Sequence, residues 1–223
     1  MKHYSGIDYD HFLDDIRDMY PFSVDEAVLV ELIANALDAK TTLIDIRIDP
    51  DQRLFEMTDN GVGMDAKGFE MYHNFSTSFK RKGQGIGFAG LGAKLALKIA
   101  DRIVTETRQK EGGQSPQREG SFAAKSSAQV RTPERRRRAG SKHFLGASEW
   151  KFERKRRSAL PVWYDLDERT LPHHGTRVRI YLKRAGHLLL QPDEVKQTVL
   201  THYLPLLALP EFYESFKLYR RIT

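Results

Sequence analysis

From residue 24 to residue 39, apolar side chains fall almost all the way round a helix. At 3.6 residues per turn, Val30, Ile33, Ala34 and Leu37 line one side, and Leu29, Leu32 and Ala36 the side next to it. Glu31, Asn35 and Asp38 break that coat at i, i+4 and i+7, in one narrow polar stripe. A buried carboxylate needs a partner, so the stripe is expected to face a ligand, a metal or a wet cleft; a merely solvated face would be wider. Ser23 with Glu26 three residues on makes a capping box, which predicts a helix start there and an end near Ala39.

The period then changes to two. Ile44, Ile46 and Ile48 alternate with Asp45, Arg47 and Asp49, which predicts a half-buried strand over 42–49. Pro50 to Gln52 is a turn, Arg53 to Thr58 a second strand, and the two form a hairpin. The hairpin leads into Asp59-Asn60-Gly61-Val62-Gly63-Met64, where two glycines in three positions require a tight bend or a close approach. Asp65 to Asn74 reads as a short helix. Glycines at 83, 85, 87, 90 and 92 crowd the next stretch and open onto Ala93 to Ala100, a run of helix formers. A glycine-rich loop before a helix N-terminus offers free N–H groups and a positive dipole end to a phosphate. A strand is expected over 101–108, and Val178, Ile180 and Leu182 alternate with Arg177, Arg179 and Lys183 in another. Asp193 is the expected cap of a last helix that Pro205 should end or kink, within a C-terminal helical extension over 186–223. Residues 1–20 suit a short helix or an arm.

Residues 111–158 differ from the rest. They hold 13 Lys and Arg against 5 Asp and Glu, a net charge of +8. The other residues carry 23 basic and 25 acidic groups, so the overall +6 belongs to this one Arg-rich segment. Large Leu, Ile, Val or Phe side chains are few there, no helix or strand period is sustained, and weak order is expected. Three readings compete: a basic insertion that binds nucleic acid or an acidic partner, a solvated linker, or a reading-frame error.

The chain has 223 residues, enough for a single domain over 1–223, and 40% hydrophobic residues, enough for a core. It has no cysteine, which excludes disulfides, a cysteine nucleophile and cysteine-ligated zinc. No run of eighteen apolar residues occurs, and Met1 to Tyr4 do not begin a secretory signal, so a soluble, cytoplasmic protein with no membrane partner is expected. The histidines lack metal-ligand spacing and read as ordinary loop residues.

Three stretches carry chemistry: the Glu31–Asn35–Asp38 stripe, the Asp59-x-Gly61-x-Gly63 turn, and Ile86 to Lys94 opening a helix. In this order they resemble the N box and the two glycine boxes of the GHKL ATPases, the family of gyrase B, the ninety-kilodalton heat-shock chaperone, histidine kinases and MutL. His174-Gly175-Thr176 resembles the family's distal Gly-Thr element. The resemblance covers Phe22 to Arg108 and Leu171 to Lys183. It implies the Bergerat ATP-binding fold, an α/β two-layer sandwich of mixed β-sheet and helices with ATP between the helices under a mobile lid.

By the same resemblance, Glu31 is the expected catalytic base that orients or deprotonates the attacking water. Asn35 is the expected Mg²⁺ ligand, and Asp38 a supporting or adenine-side residue. Asp59 should accept from the adenine amino group, with Gly61, Gly63 and Met64 around the base and Thr176 reaching its edge. Lys82 and the backbone around Gly87, Gly90, Leu91 and Gly92 should hold phosphate, with Lys80 and Lys94 as further cations. The implied activity is Mg²⁺-dependent ATP binding and hydrolysis that drives lid closure or homodimerisation, as in the chaperone, MutL or MORC-type relatives. A histidine-kinase-type catalytic domain and a non-hydrolysing ATP-binding module are the alternatives. Family members usually continue the sheet where this chain has its Arg-rich segment, which raises the prospect of an exposed sheet edge. The chain stops about where such domains end, which suits a piece of a longer protein.

Overall fold

The computed structural model describes residues 9–73, 92–112, 143–153, 158–164, 166–208 and 221–222. The N-terminal segment contains a helix, α1 (Tyr9–Asp18), whose Leu13 and Ile16 are buried. Helix α2 (Val24–Asp38) starts as the capping box requires: the Glu26 N–H donates to Ser23 Oγ at 3.2 Å. Ala27, Val28, Leu29, Leu32, Ile33, Ala34 and Ala36 are all buried, so α2 is enclosed on nearly every side.

Strands β1 (Leu43–Asp49) and β2 (Leu54–Asp59) form the expected hairpin, followed by α3 (Ala66–His73) and β3 (Ala100–Arg108). Strands β4 (Leu145–Glu153), β5 (Ser158–Tyr164), β6 (Gly175–Leu182) and β7 (Arg221–Ile222) complete one sheet in the order β5-β4-β3-β6-β2-β1-β7. Neighbours pair antiparallel except β7, which lies parallel to β1, so the sheet is mixed. Helix α5 (Pro192–Ala208) returns to pack on α2, where Tyr203 Oη donates to the Val30 carbonyl at 2.6 Å.

Residues opposite one another on neighbouring strands point to the same face, so the register gives three rows across the sheet. The first is Ile48, Phe55, Ile180, Ile103 and Trp150. The second is Ile46, Met57, Val178, Thr105, Ser148 and Trp163. The third is Ile44, Asp59, Thr176, Thr107 and Gly146. Members of the first two rows join the buried side chains of α1, α2 and α5 in one core, which makes the domain a two-layer α/β sandwich. The face turns from apolar to polar between the first row and the third.

The other face is charged. Glu106 is buried there, 2% exposed, between Arg177 (Nε to Oε2, 2.6 Å) and Arg179 (Nη2 to Oε1, 2.5 Å). Arg102 sits over the Tyr181 ring at 3.8 Å.

The sequence reading and the structure differ in several places. Strand β4 and the first residue of β5 lie inside the Arg-rich segment, where no strand period was expected. Where burial is described in β4, over 145–151, the buried positions are Gly146, Ala147, Ser148 and Trp150, small or aromatic rather than Leu, Ile or Val, so no aliphatic alternation marks them. The sheet therefore continues beyond β3. Second, the helix expected over 93–100 is one turn, α4 (Gly92–Leu95), and a 3₁₀ turn at Ala96–Lys98. Lys183 Nζ takes up the Leu97 and Lys98 carbonyls at 3.1 and 2.7 Å, and Ala100 already pairs with Leu182, so the sheet claims the chain early. Third, Pro192, not Asp193, opens α5, since a missing N–H costs nothing at the first helical position; the helix then runs through Pro205 to Ala208. Fourth, His73 and His202 lie in α3 and α5 and not in loops, and the extension expected to be helical over 186–223 contains strand β7, which pairs with β1.

Candidate functional site

The polar stripe of α2 is graded in depth. Glu31 is 2% exposed, whereas Asn35 and Asp38 are half-buried one and two turns further on. Tyr20, in the turn between α1 and α2, donates its hydroxyl to Glu31 Oε1 at 2.9 Å. Burial pushes the Tyr20 phenol well above its ordinary range, and the Glu31 charge and hydrogen bond push it further, so it stays a neutral donor. The Tyr203 hydroxyl is raised too, by burial first and then by the charges of Glu31 and Asp38.

The end of α2 meets the first glycine turn. The Val62 N–H donates to the Ala39 carbonyl at 2.9 Å, and a Cβ on Gly61 would come within 2.7 Å of that same oxygen. Gly63 has φ +65°, and a Cβ there would run into the Arg108 carbonyl. Both glycines are thus explained by packing of the turn against α2 and β3. Asn60 Oδ1 accepts from Thr41 Oγ1 (2.7 Å) and from the Thr42 and Leu43 N–H groups (both 2.9 Å), which ties the turn to the start of β1.

Asp59 ends β2 on the core-facing side, 7% exposed. The Gly61 N–H donates to its Oδ1 at 2.8 Å. Burial raises its carboxyl to about 7, against the smaller downward pull of the Gly61 and Thr176 backbone N–H groups. Thr176 stands opposite Asp59 across the β2–β6 ladder. Thr107 Oγ1 accepts from the Met64 N–H at 2.8 Å and lies 3.2 Å from the Gly175 carbonyl and 3.3 Å from Thr176 Oγ1. His174 Nδ1 donates to the Gly61 carbonyl at 2.8 Å. Asp59, Gly61, Gly63, Met64 and Thr176 therefore lie in one connected patch beside the C-terminal end of α2. Sequence reasoning missed Tyr20, Thr107 and His174; only His174 carried a signal, its place beside Gly175-Thr176.

Of the second glycine stretch, Lys82, Gly87, Gly90 and Leu91 lie outside the described residues, as does Lys80. Gly92 opens α4, which packs on α2, and Lys94 is buried beside it, 2% exposed. The Lys94 charge is felt at His73. His73 is buried; its Nδ1 donates to the Phe69 carbonyl at 2.6 Å, which leaves Nε2 to accept from Ser148 Oγ at 2.7 Å. Burial lowers it to about 4, so it is neutral at pH 7. It is enclosed by Phe69, Tyr72, Trp150 and Trp163 and serves the core.

Glu31 and Asn35 supply hard oxygen donors one turn apart on one helix face. Among the described residues no group of three or more His, Cys, Asp or Glu is placed to hold a metal by itself. That donor set fits a hard cation that takes most of its ligands from phosphate and water, as Mg²⁺ does. No helix of the described residues is long and apolar enough to cross a membrane.

A buried carboxylate and an amide on one stripe, a glycine turn seated at the end of their helix, and a polar sheet row with a buried aspartate together make a nucleotide-binding architecture. A profile of the family described as histidine kinase-, DNA gyrase B-, and HSP90-like ATPase matches residues 22–138. The chain belongs to that family, whose domain supports ATP binding and ATPase or kinase activity in general. The match begins at the capping box and runs through the glycine stretch outside the described residues. No curated protein matches the chain.

Proposed function

We propose that this domain binds ATP with Mg²⁺ and hydrolyses it, with Glu31 as the base that takes up the proton of the attacking water. The observation that supports the reading is the junction of α2 with the Asp59–Met64 turn, where the Val62 N–H donates to the Ala39 carbonyl and Gly61 seats against the same oxygen. Asp59 would accept from the exocyclic amine of adenine while Thr176 borders it, with Gly61, Gly63 and Met64 forming the turn around the base. Asn35 would hold Mg²⁺, which when bound neutralises developing phosphoryl charge. Asp38 flanks these groups, and Lys82 with the backbone around Gly87, Gly90, Leu91 and Gly92 would receive the phosphates.

A base must lie within hydrogen-bond reach of the water it activates, and a carboxylate one helical turn from the Mg²⁺ ligand satisfies this once nucleotide is bound. Closure of a lid, and pairing of two chains, would follow nucleotide binding. The Arg-rich segment would serve nucleic acid or an acidic partner. The test measures phosphate release by the wild type and by Glu31→Ala, with binding of a non-hydrolysable ATP analogue in both. Loss of turnover in the variant with binding kept supports hydrolysis through Glu31. Equal background release in both, with binding kept, leaves a nucleotide-binding module without hydrolysis.

A further inference from the structure

The carboxylate of a glutamate turns easily about its last torsion, whose energy is broad and two-fold. A base on such a stem addresses one water only if something else fixes its plane. The Tyr20 hydroxyl is in contact with Glu31, at 2.9 Å from Oε1. Tyr20 is eleven residues earlier, held by the turn in which its N–H donates to the Arg17 carbonyl at 3.0 Å. Its ring lies 5.6 Å from Phe22, tilted by 56°, and Phe22 meets the edge of His202 at 5.0 Å. His202 Nε2 is in turn 2.8 Å from the Glu26 carboxylate. The phenol is thus pinned from α1 on one side and from α5 on the other.

We propose that Tyr20 is a positioning residue for Glu31: its hydroxyl occupies one carboxylate oxygen and so directs the other at the water that attacks the nucleotide. A neutral donor suits the role. A lysine or arginine at the same place would form an ion pair and make the carboxylate a weaker base, whereas a phenol orients it at little cost in basicity. The inference rests on the reading of Glu31 as the base.

Tyr20→Phe keeps the ring and its contacts with Phe22 and removes only the hydroxyl. The experiment compares kcat, KM for ATP, affinity for a non-hydrolysable analogue, and melting temperature in wild type, Tyr20→Phe, Glu31→Ala and the double variant. The expected result is a fall of about tenfold in kcat for Tyr20→Phe, with KM and analogue affinity within about twofold of wild type and little change in melting. In the Glu31→Ala background the second change should cost nothing more, because the group it positions is gone. A merely structural tie between α1 and α2 would move melting or KM and act equally in both backgrounds, which overturns the proposal. Wild-type kcat in Tyr20→Phe beside a large loss in Glu31→Ala removes the Tyr20 role alone. Undiminished turnover in Glu31→Ala removes the base assignment and the Tyr20 role with it.

Discussion

Asp59 and Thr176 face each other across β2 and β6, the last residue of one strand against the second of the next, and the Thr176 backbone N–H together with that of Gly61 faces the Asp59 carboxyl. Two donors do not offset the cost of burying the charge, so the carboxyl titrates near 7 and not near its ordinary 3.8. A residue kept at a cost to folding points to a task other than folding.

Asp59→Asn keeps the size and removes the buried charge. At pH 8 the variant should be at least as stable as wild type in urea unfolding, while affinity for an ATP analogue should fall by tenfold or more, because an amide that turns its N–H groups to the adenine amine cannot accept from it. Wild-type affinity should also weaken as pH drops through about 7, where the carboxyl gains its proton, and the variant's affinity should lack that component. Unchanged affinity in Asp59→Asn would remove Asp59 from the adenine site.

His73 and Asp59 make opposite contributions to stability in acid. The unfolded chain protonates His73 near 6.5 but the folded chain only near 4, so between those values the unfolded state holds the extra proton and stability falls as pH falls. Asp59 keeps its proton up to about 7 in the folded chain and to 3.8 in the unfolded one, so its contribution is fully present below 3.8 and is lost as pH rises through about 7. Each effect amounts to about 3 or 4 kcal/mol at most. Asp59→Asn should therefore show a steeper loss of stability from pH 6.5 to 4 than wild type. His73→Gln, whatever its overall cost, should gain stability over the same range. Urea titrations at several pH values give both slopes.

Gly63 and Gly112 separate backbone strain from collision. Both have φ +65°, but a Cβ on Gly112 meets nothing within 4 Å, whereas one on Gly63 strikes the Arg108 carbonyl. Gly112→Ala should cost about 1 kcal/mol, the strain of a left-handed residue alone. Gly63→Ala should cost about 3 kcal/mol or more and should lower nucleotide affinity, since the Met64 turn must shift. Equal costs in chemical denaturation would show that the turn yields to the collision.

On the opposite face, Glu106→Ala leaves the Arg177 and Arg179 guanidinium groups without the carboxylate between them. A loss of about 3 kcal/mol is expected, with nucleotide affinity unchanged under conditions where the variant stays folded. An affinity change at that face would mean the two faces are coupled.

Much of the fold was legible in the sequence. Ser23 and Glu26 announce α2, and the aliphatic alternations of β1 and β6 announce strands, because each signal lies within its own segment. Strand β4 was not legible, since Gly146, Ala147, Ser148 and Trp150 share burial but not aliphatic character. The early end of α4 depends on Lys183, some ninety residues away, and no local propensity encodes it. At the site, the motifs located the α2 stripe and the glycine turn. Thr107 reaches it only through strand register, and Tyr20 only through the path of the chain around the start of α2.

The row formed by Asp59, Thr176 and Thr107 has a consequence for assembly. Side chains alternate along β6, so a slip of one residue against its neighbours would send Arg177 and Arg179 into the interior and turn Val178 and Ile180 out to solvent. A one-residue slip that would part Asp59 from Thr176 thus also destroys the hydrophobic interior. Between registers one residue apart, only the one that keeps Val178 and Ile180 inside sets Asp59 opposite Thr176, so folding aligns that pair without any ligand present.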